Sequence, residues 1–98
     1  MNILLAKGSG AATATFKVGK LASSQPQLPV TLFLIGTVAS DKAVTLEYNS
    51  EGTTWVQCKV GGTDVQLDAD TNMVTLYGPG AFRVARAADA GTVGVLIA

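Results

Sequence analysis

The chain has 98 residues, enough for one domain with one modest core. Its 7 Lys+Arg balance its 7 Asp+Glu, so there is neither a basic stripe to neutralise phosphates nor a polybasic patch for a membrane surface, and neither nucleic acid nor membrane is expected as a partner. Charged residues make up only 14% of the chain, against about 25% in a typical globular domain, and 48% are hydrophobic, a balance that fits an outer surface partly covered by other subunits.

The opening MNILLAKGSG has a short apolar run with no basic residue before it, too brief for a signal peptide or a membrane span. Manufacture in a reducing cytoplasm is therefore expected, and the single cysteine, Cys58, provides no disulfide framework. Residues 1–20 read as an extended N-terminal arm with a strand around Thr13–Val18, and the Gly8-Ser9-Gly10 hinge would let that arm lie across a neighbour. Ala22–Gln27 (ASSQPQ) reads as a loop, so residues 1–27 form arm and loop and residues 28–98 form the domain. Leu28–Ile35 is apolar on both faces, as a strand covered on both sides would be. A small sandwich has one inner face per sheet, so the second face, Thr31, Phe33 and Ile35, is expected to meet another chain.

From residue 43 onward the apolar residues keep a period of two, and turn residues interrupt them at the spacing of a sandwich or barrel. Pairing Val44 with Val60, Leu46 with Cys58 and Tyr48 with Val56 keeps one apolar face. So do Val65 with Leu76 and Leu67 with Val74, Leu76 with Phe82 and Val74 with Val84, and Val84 with Val95 and Phe82 with Ile97. These registers predict an antiparallel meander over 43–98. The expected fold class is all-β: a single small antiparallel β-sandwich or jelly-roll-like domain with an N-terminal arm.

The stretch LEYNSEGTTWVQC carries the only tryptophan and the only cysteine. Trp55 shares a strand face with Gln57 and Lys59, where it either stacks on a sugar or folds over its own hairpin. Residues 48–55 (YNSEGTTW) resemble the Asp-box hairpin of sialidase-like propellers, Ser-x-Asp-x-Gly-x-Thr-Trp. Gly52, Thr54 and Trp55 match, whereas Tyr48 stands for the Ser and Ser50 for the Asp. In those families the hairpin is structural and lies away from the catalytic pocket. The resemblance therefore implies a structural hairpin built on Tyr48, Gly52, Thr54 and Trp55, and no sialidase activity.

Asp64, Asp68 and Asp70 could offer carboxylates to calcium, but they lack the glycine and distal glutamate of an EF-hand loop and read as a solvated turn. Gly78-Pro79-Gly80 reads as a tight turn and not a phosphate cradle. With no histidine there is no His-based triad or metal site, and Cys58 on an apolar face reads as an inert thiol. No catalytic residue, metal site or cofactor is expected. Arg83 and Arg86 fall on opposite faces of one strand and are candidate intersubunit salt-bridge donors.

The hairpin "VTLEYNSEGTTW", a polar turn, the hairpin "VTLYGPGAFRVAR" and a short apolar terminal strand resemble small virion proteins of tailed bacteriophages, over just over half of the chain. That resemblance implies a non-enzymatic virion protein that decorates or cements the capsid. Its expected partners are the major capsid protein and further copies of itself. A tail or fibre component and a carbohydrate-binding β-sandwich are the alternatives.

Overall fold

The computed structural model describes residues 1–19, 29–39, 43–49, 51–77 and 80–98. The expected loop at 22–27, Leu28, Ser50 and most of the Gly78-Pro79-Gly80 turn lie outside the described residues. Eleven strands form among the described residues: β1 (Asn2–Gly8), β2 (Ala12–Val18), β3 (Val30–Val38), β4 (Val44–Asn49), β5 (Trp55–Gln57), β6 (Lys59–Val60), β7 (Thr63–Asp64), β8 (Gln66–Leu67), β9 (Met73–Leu76), β10 (Gly80–Arg86) and β11 (Gly91–Ile97). There is no helix among them, and the all-β, small-sandwich reading holds.

One sheet runs β1-β11-β3-β9 and the other β2-β10-β4-β5, with β8 also pairing to β4 and β6-β7 forming a small separate ribbon. All the strand pairings among the described residues are antiparallel. The first sheet buries Leu5, Leu32, Val93 and Val95; the second buries Val18, Val44, Leu46, Leu67 and Val84. Each such side chain contributes about 1.5–3 kcal/mol by leaving water. The space left between Leu32, Leu46, Leu67, Val74 and Val84 is about 10 Å³, apolar and no larger than one water.

Residues 1–19 do not form an arm lying outside the domain. β1 is an edge strand of the first sheet, paired to β11, and β2 pairs with β10 over seven consecutive positions, Ala12 to Val18. The strand expected around Thr13–Val18 forms as β2, but it pairs within the chain: Ala12, Ala14, Phe16 and Val18 alternate with Thr13, Thr15 and Lys17 in a regular ladder. Gly10, at φ 89, turns the chain from one sheet to the other.

The meander over 43–98 is corrected as well. Only its first hairpin is local: Tyr48 pairs with Val56, and the Cys58 N–H donates to the Leu46 carbonyl at 2.9 Å. Val44 pairs with Leu67, not Val60, because the chain leaves the sheet after Cys58 as the β6-β7 ribbon and rejoins at β8. Gly61 and Gly62, both at positive φ, make the ribbon's two-residue turn. Thereafter β9 joins the first sheet against β3, β10 the second against β4 and β2, and β11 the first against β3 and β1. The residues expected side by side instead face each other across the core: Leu67, Val74 and Val84 line the same small cavity. Period-two alternation says which side of a strand faces inward, not which strand lies beside it.

Candidate functional surfaces

Residues directly opposite on paired strands share a face, so the registers lay out both outer surfaces. On the outside of the first sheet, Ile3 (β1), Leu96 (β11), Phe33 (β3) and Met73 (β9) form one row across all four strands. The next row holds Thr31 beside Thr75, their hydroxyls 3.0 Å apart, and the row on the other side holds Ile35 opposite Gly94. Ile3 is 68% exposed and Met73 55%, while Phe33, Ile35 and Leu96 are partly exposed. None of these side chains is charged.

The outside of the second sheet has the opposite character. It carries Thr13, Thr15 and Lys17 on β2, Arg83 on β10, Glu47 on β4, and Trp55 with Gln57 on β5. The Arg83 Nε donates to Glu47 Oε1 at 2.8 Å, and the guanidinium carbon lies 4.7 Å from the Trp55 ring centroid. Trp55 is thus stacked on a side chain two strands away, tying β5 to β10 over β4. Gln57 Nε2 donates to the Leu46, Cys58 and Val65 carbonyls and closes the point where the ribbon leaves the sheet. The hairpin turn is held by Asn49: its Oδ1 accepts from the Gly52 N–H at 2.6 Å and its Nδ2 donates to the Gly52 carbonyl at 3.1 Å. Gly52 adopts φ 86, Thr54 is exposed, and Tyr48, on the inward side of β4 beyond the covered core, is 40% exposed.

The five interface candidates therefore fall in three places. Thr31, Phe33 and Ile35 share the outer face of the first sheet. Arg83 lies on the outer face of the second and is engaged within the chain. Arg86 is not on a surface at all. Its buried guanidinium donates to the carbonyls of Gly10 (2.7 Å), Ala6 (3.0 Å), Val93 (3.0 Å) and, at the long limit, Ser9 (3.5 Å). It reaches from β10 across the core to β1, its following turn and β11. Sequence reasoning missed Ile3, Leu96 and Met73 as parts of the apolar face. Leu96 leaves a trace in the sequence, standing at the outward parity of a strand whose Val93, Val95 and Ile97 point in.

The aspartates and the cysteine singled out in the sequence are engaged by the fold. Asp68 Oδ1 accepts from the Asp70 and Thr71 N–H groups and Oδ2 from Gln66, so the aspartates at 68–70 make a turn. The Thr71 N–H, the Gln66 amide and the Asp70 N–H hold the Asp68 carboxyl below the usual range against a weaker burial effect. Asp64 pairs with Lys59 at 3.2 Å across the ribbon. Burial, with the Glu47 charge second, pushes the Cys58 thiol up and keeps it protonated and sluggish at neutral pH. Comparison with protein-family models, curated proteins and solved structures finds no match to the chain.

Proposed function

We propose that this protein is a non-enzymatic structural component of a phage virion that decorates or cements the capsid by subunit contacts. The observation that carries the reading is the uncharged row Ile3-Leu96-Phe33-Met73, which runs the full width of a sheet whose other side already packs the core. A face of that kind offers burial of apolar surface and little else, which suits permanent attachment. The virion assignment rests on the resemblance carried by VTLEYNSEGTTW and VTLYGPGAFRVAR. In this reading the partners are the major capsid protein and further copies of the chain, and the protein resides in the particle after synthesis in the host cytoplasm. The carbohydrate-binding alternative has less support, because Trp55 already stacks on Arg83.

The test compares particles carrying wild-type protein, Phe33→Glu/Met73→Glu protein or none. A charge in the centre of the apolar row should abolish attachment while leaving the isolated domain folded, since both positions point outward. Particles with the variant should then rupture on heating like particles with none, below the wild-type temperature. Equal rupture of all three with reduced infectivity would move the assignment to the tail or its fibres.

A further inference from the structure

The sheet edges are unequal. In the first sheet β1 breaks register twice, between Ile3 and Leu5 and between Leu5 and Gly8, and β9 has only four residues. In the second, the β4 side is closed by β5, of three residues, and β8, of two. Short or bulged edges resist pairing with foreign strands. β2 has neither protection. Its seven residues run in unbroken register against β10, it contains no proline, and Lys17 is its single charge. Among the described residues no strand pairs with its other side.

We propose that the free edge of β2 pairs antiparallel with β2 of a second copy, about a two-fold axis through Thr15, joining the two β2-containing sheets into one. Residue identities single out the second copy as occupant. About this axis Ala12 faces Val18 of the other copy, Thr13 faces Lys17, Ala14 faces Phe16 and Thr15 faces Thr15. The small alanine thus meets the large phenylalanine, and neither Lys17 faces its equivalent. On the inward side the stacked Phe82-Phe16 pair, with centroids 5.8 Å apart, continues onto Ala14 and Val84 of the second copy. That continuation covers Phe16, which points inward yet remains partly exposed at the edge. On the outward side the uncharged Thr15 pair separates the two Arg83 side chains. The contact is a strip about 23 Å long, so the dimer is weak and concentration-dependent.

This pairing deepens the self-assembly part of the proposed role, and it uses an edge of the second sheet, away from the apolar face of the first. Sedimentation of the pure protein reads it without any particle, so its failure and a failure of particle attachment are told apart. Wild-type protein should show a monomer–dimer equilibrium, and Thr15→Lys, which opposes two like charges at the axis, should shift it to monomer. The register is read by cross-linking in a Cys58→Ala background. Two Thr15→Cys side chains would lie directly opposite, with Cβ atoms about 5 Å apart, whereas two Thr13→Cys side chains would lie about 13 Å apart along the strands. A short bis-thiol-reactive linker should therefore trap dimers at least about tenfold faster through position 15 than through position 13, a difference near 1.4 kcal/mol. A wild-type monomer up to about 1 mM would overturn the proposal, as would equal cross-linking at the two positions.

Discussion

Arg86 shows how far one side chain can differ from what its type leads one to expect. A guanidinium is rarely buried, and here its acceptors are four backbone carbonyls gathered from the β1 strand, the turn after it and β11. Hydrogen bonds from a charged donor contribute more than neutral ones, and deleting the donor strands carbonyls inside the protein. Arg86→Ala should therefore destabilise by about 3 kcal/mol, seen as a melting temperature roughly 10–20 °C lower. Arg86→Lys should recover less than half of that loss, because one ammonium cannot reach carbonyls spread around a planar fork. Calorimetry of the two variants checks both expectations.

Asp68 acts at the same scale and gives the protein a pH dependence with a definite sign. Hydrogen bonds to the ionised carboxylate hold its folded pKa below the unfolded value. Its contribution is thus fully present above the unfolded pKa and is lost as pH falls through the folded one. The group is at the surface, so the effect is small and weakened by salt. In urea titrations, Asp68→Asn should lower the midpoint near about pH 7 and leave it almost unchanged near about pH 2.

At the scale of elements, the first nineteen residues matter most. β1 supplies the buried Leu5 and β2 the buried Val18, and the turn between them supplies two of the Arg86 acceptors. Deleting residues 1–19 would strip an edge strand from each sheet and leave the Arg86 guanidinium with one of its four carbonyl partners, that of Val93. The truncated protein should show no cooperative unfolding transition by circular dichroism; a sharp transition near the wild-type temperature would show that the two strands are dispensable. β3 and β11 meet with a different constraint. A Cβ on Gly36, which has φ 101, would fall on the Thr92 carbonyl oxygen, so the β3-β11 ladder closes at that position only around glycine. The β6-β7 ribbon is legible in the sequence, since Gly61-Gly62 between Val60 and Thr63 is a strong two-residue hairpin signal. A longer register competes with that signal, because extending Tyr48-Val56 to Val44-Val60 also keeps every apolar residue on one side.

For the whole molecule, the decisive feature is the difference between its two outer surfaces. One is crossed by a charged and aromatic cluster, Trp55-Arg83-Glu47, that binds its own strands together. The other is crossed by an apolar row, Ile3-Leu96-Phe33-Met73, with the Thr31-Thr75 pair on one side of it and Ile35 and the Lys7 stem near Gly36 on the other. What the chain determined by itself was the class of fold and, for strands such as β4, β10 and β11, the side that faces inward; Val60, which the same alternation turns inward, is instead 73% exposed on the ribbon. Period-two alternation and the turn glycines are local properties, each readable within a few residues. The two-sided apolarity of residues 30–35 likewise marks Phe33 and Ile35 as facing outward. The tertiary structure alone decided which strands are neighbours, that residues 1–19 complete both sheets, that Arg86 lies inside, and that Ile3, Leu96 and Met73 join Phe33 in one row. The physical reason is that burying an apolar face is satisfied equally by a strand alongside or by a sheet across the core. Choosing between them depends on long-range pairing, such as β1 with β11, which no stretch of local sequence contains.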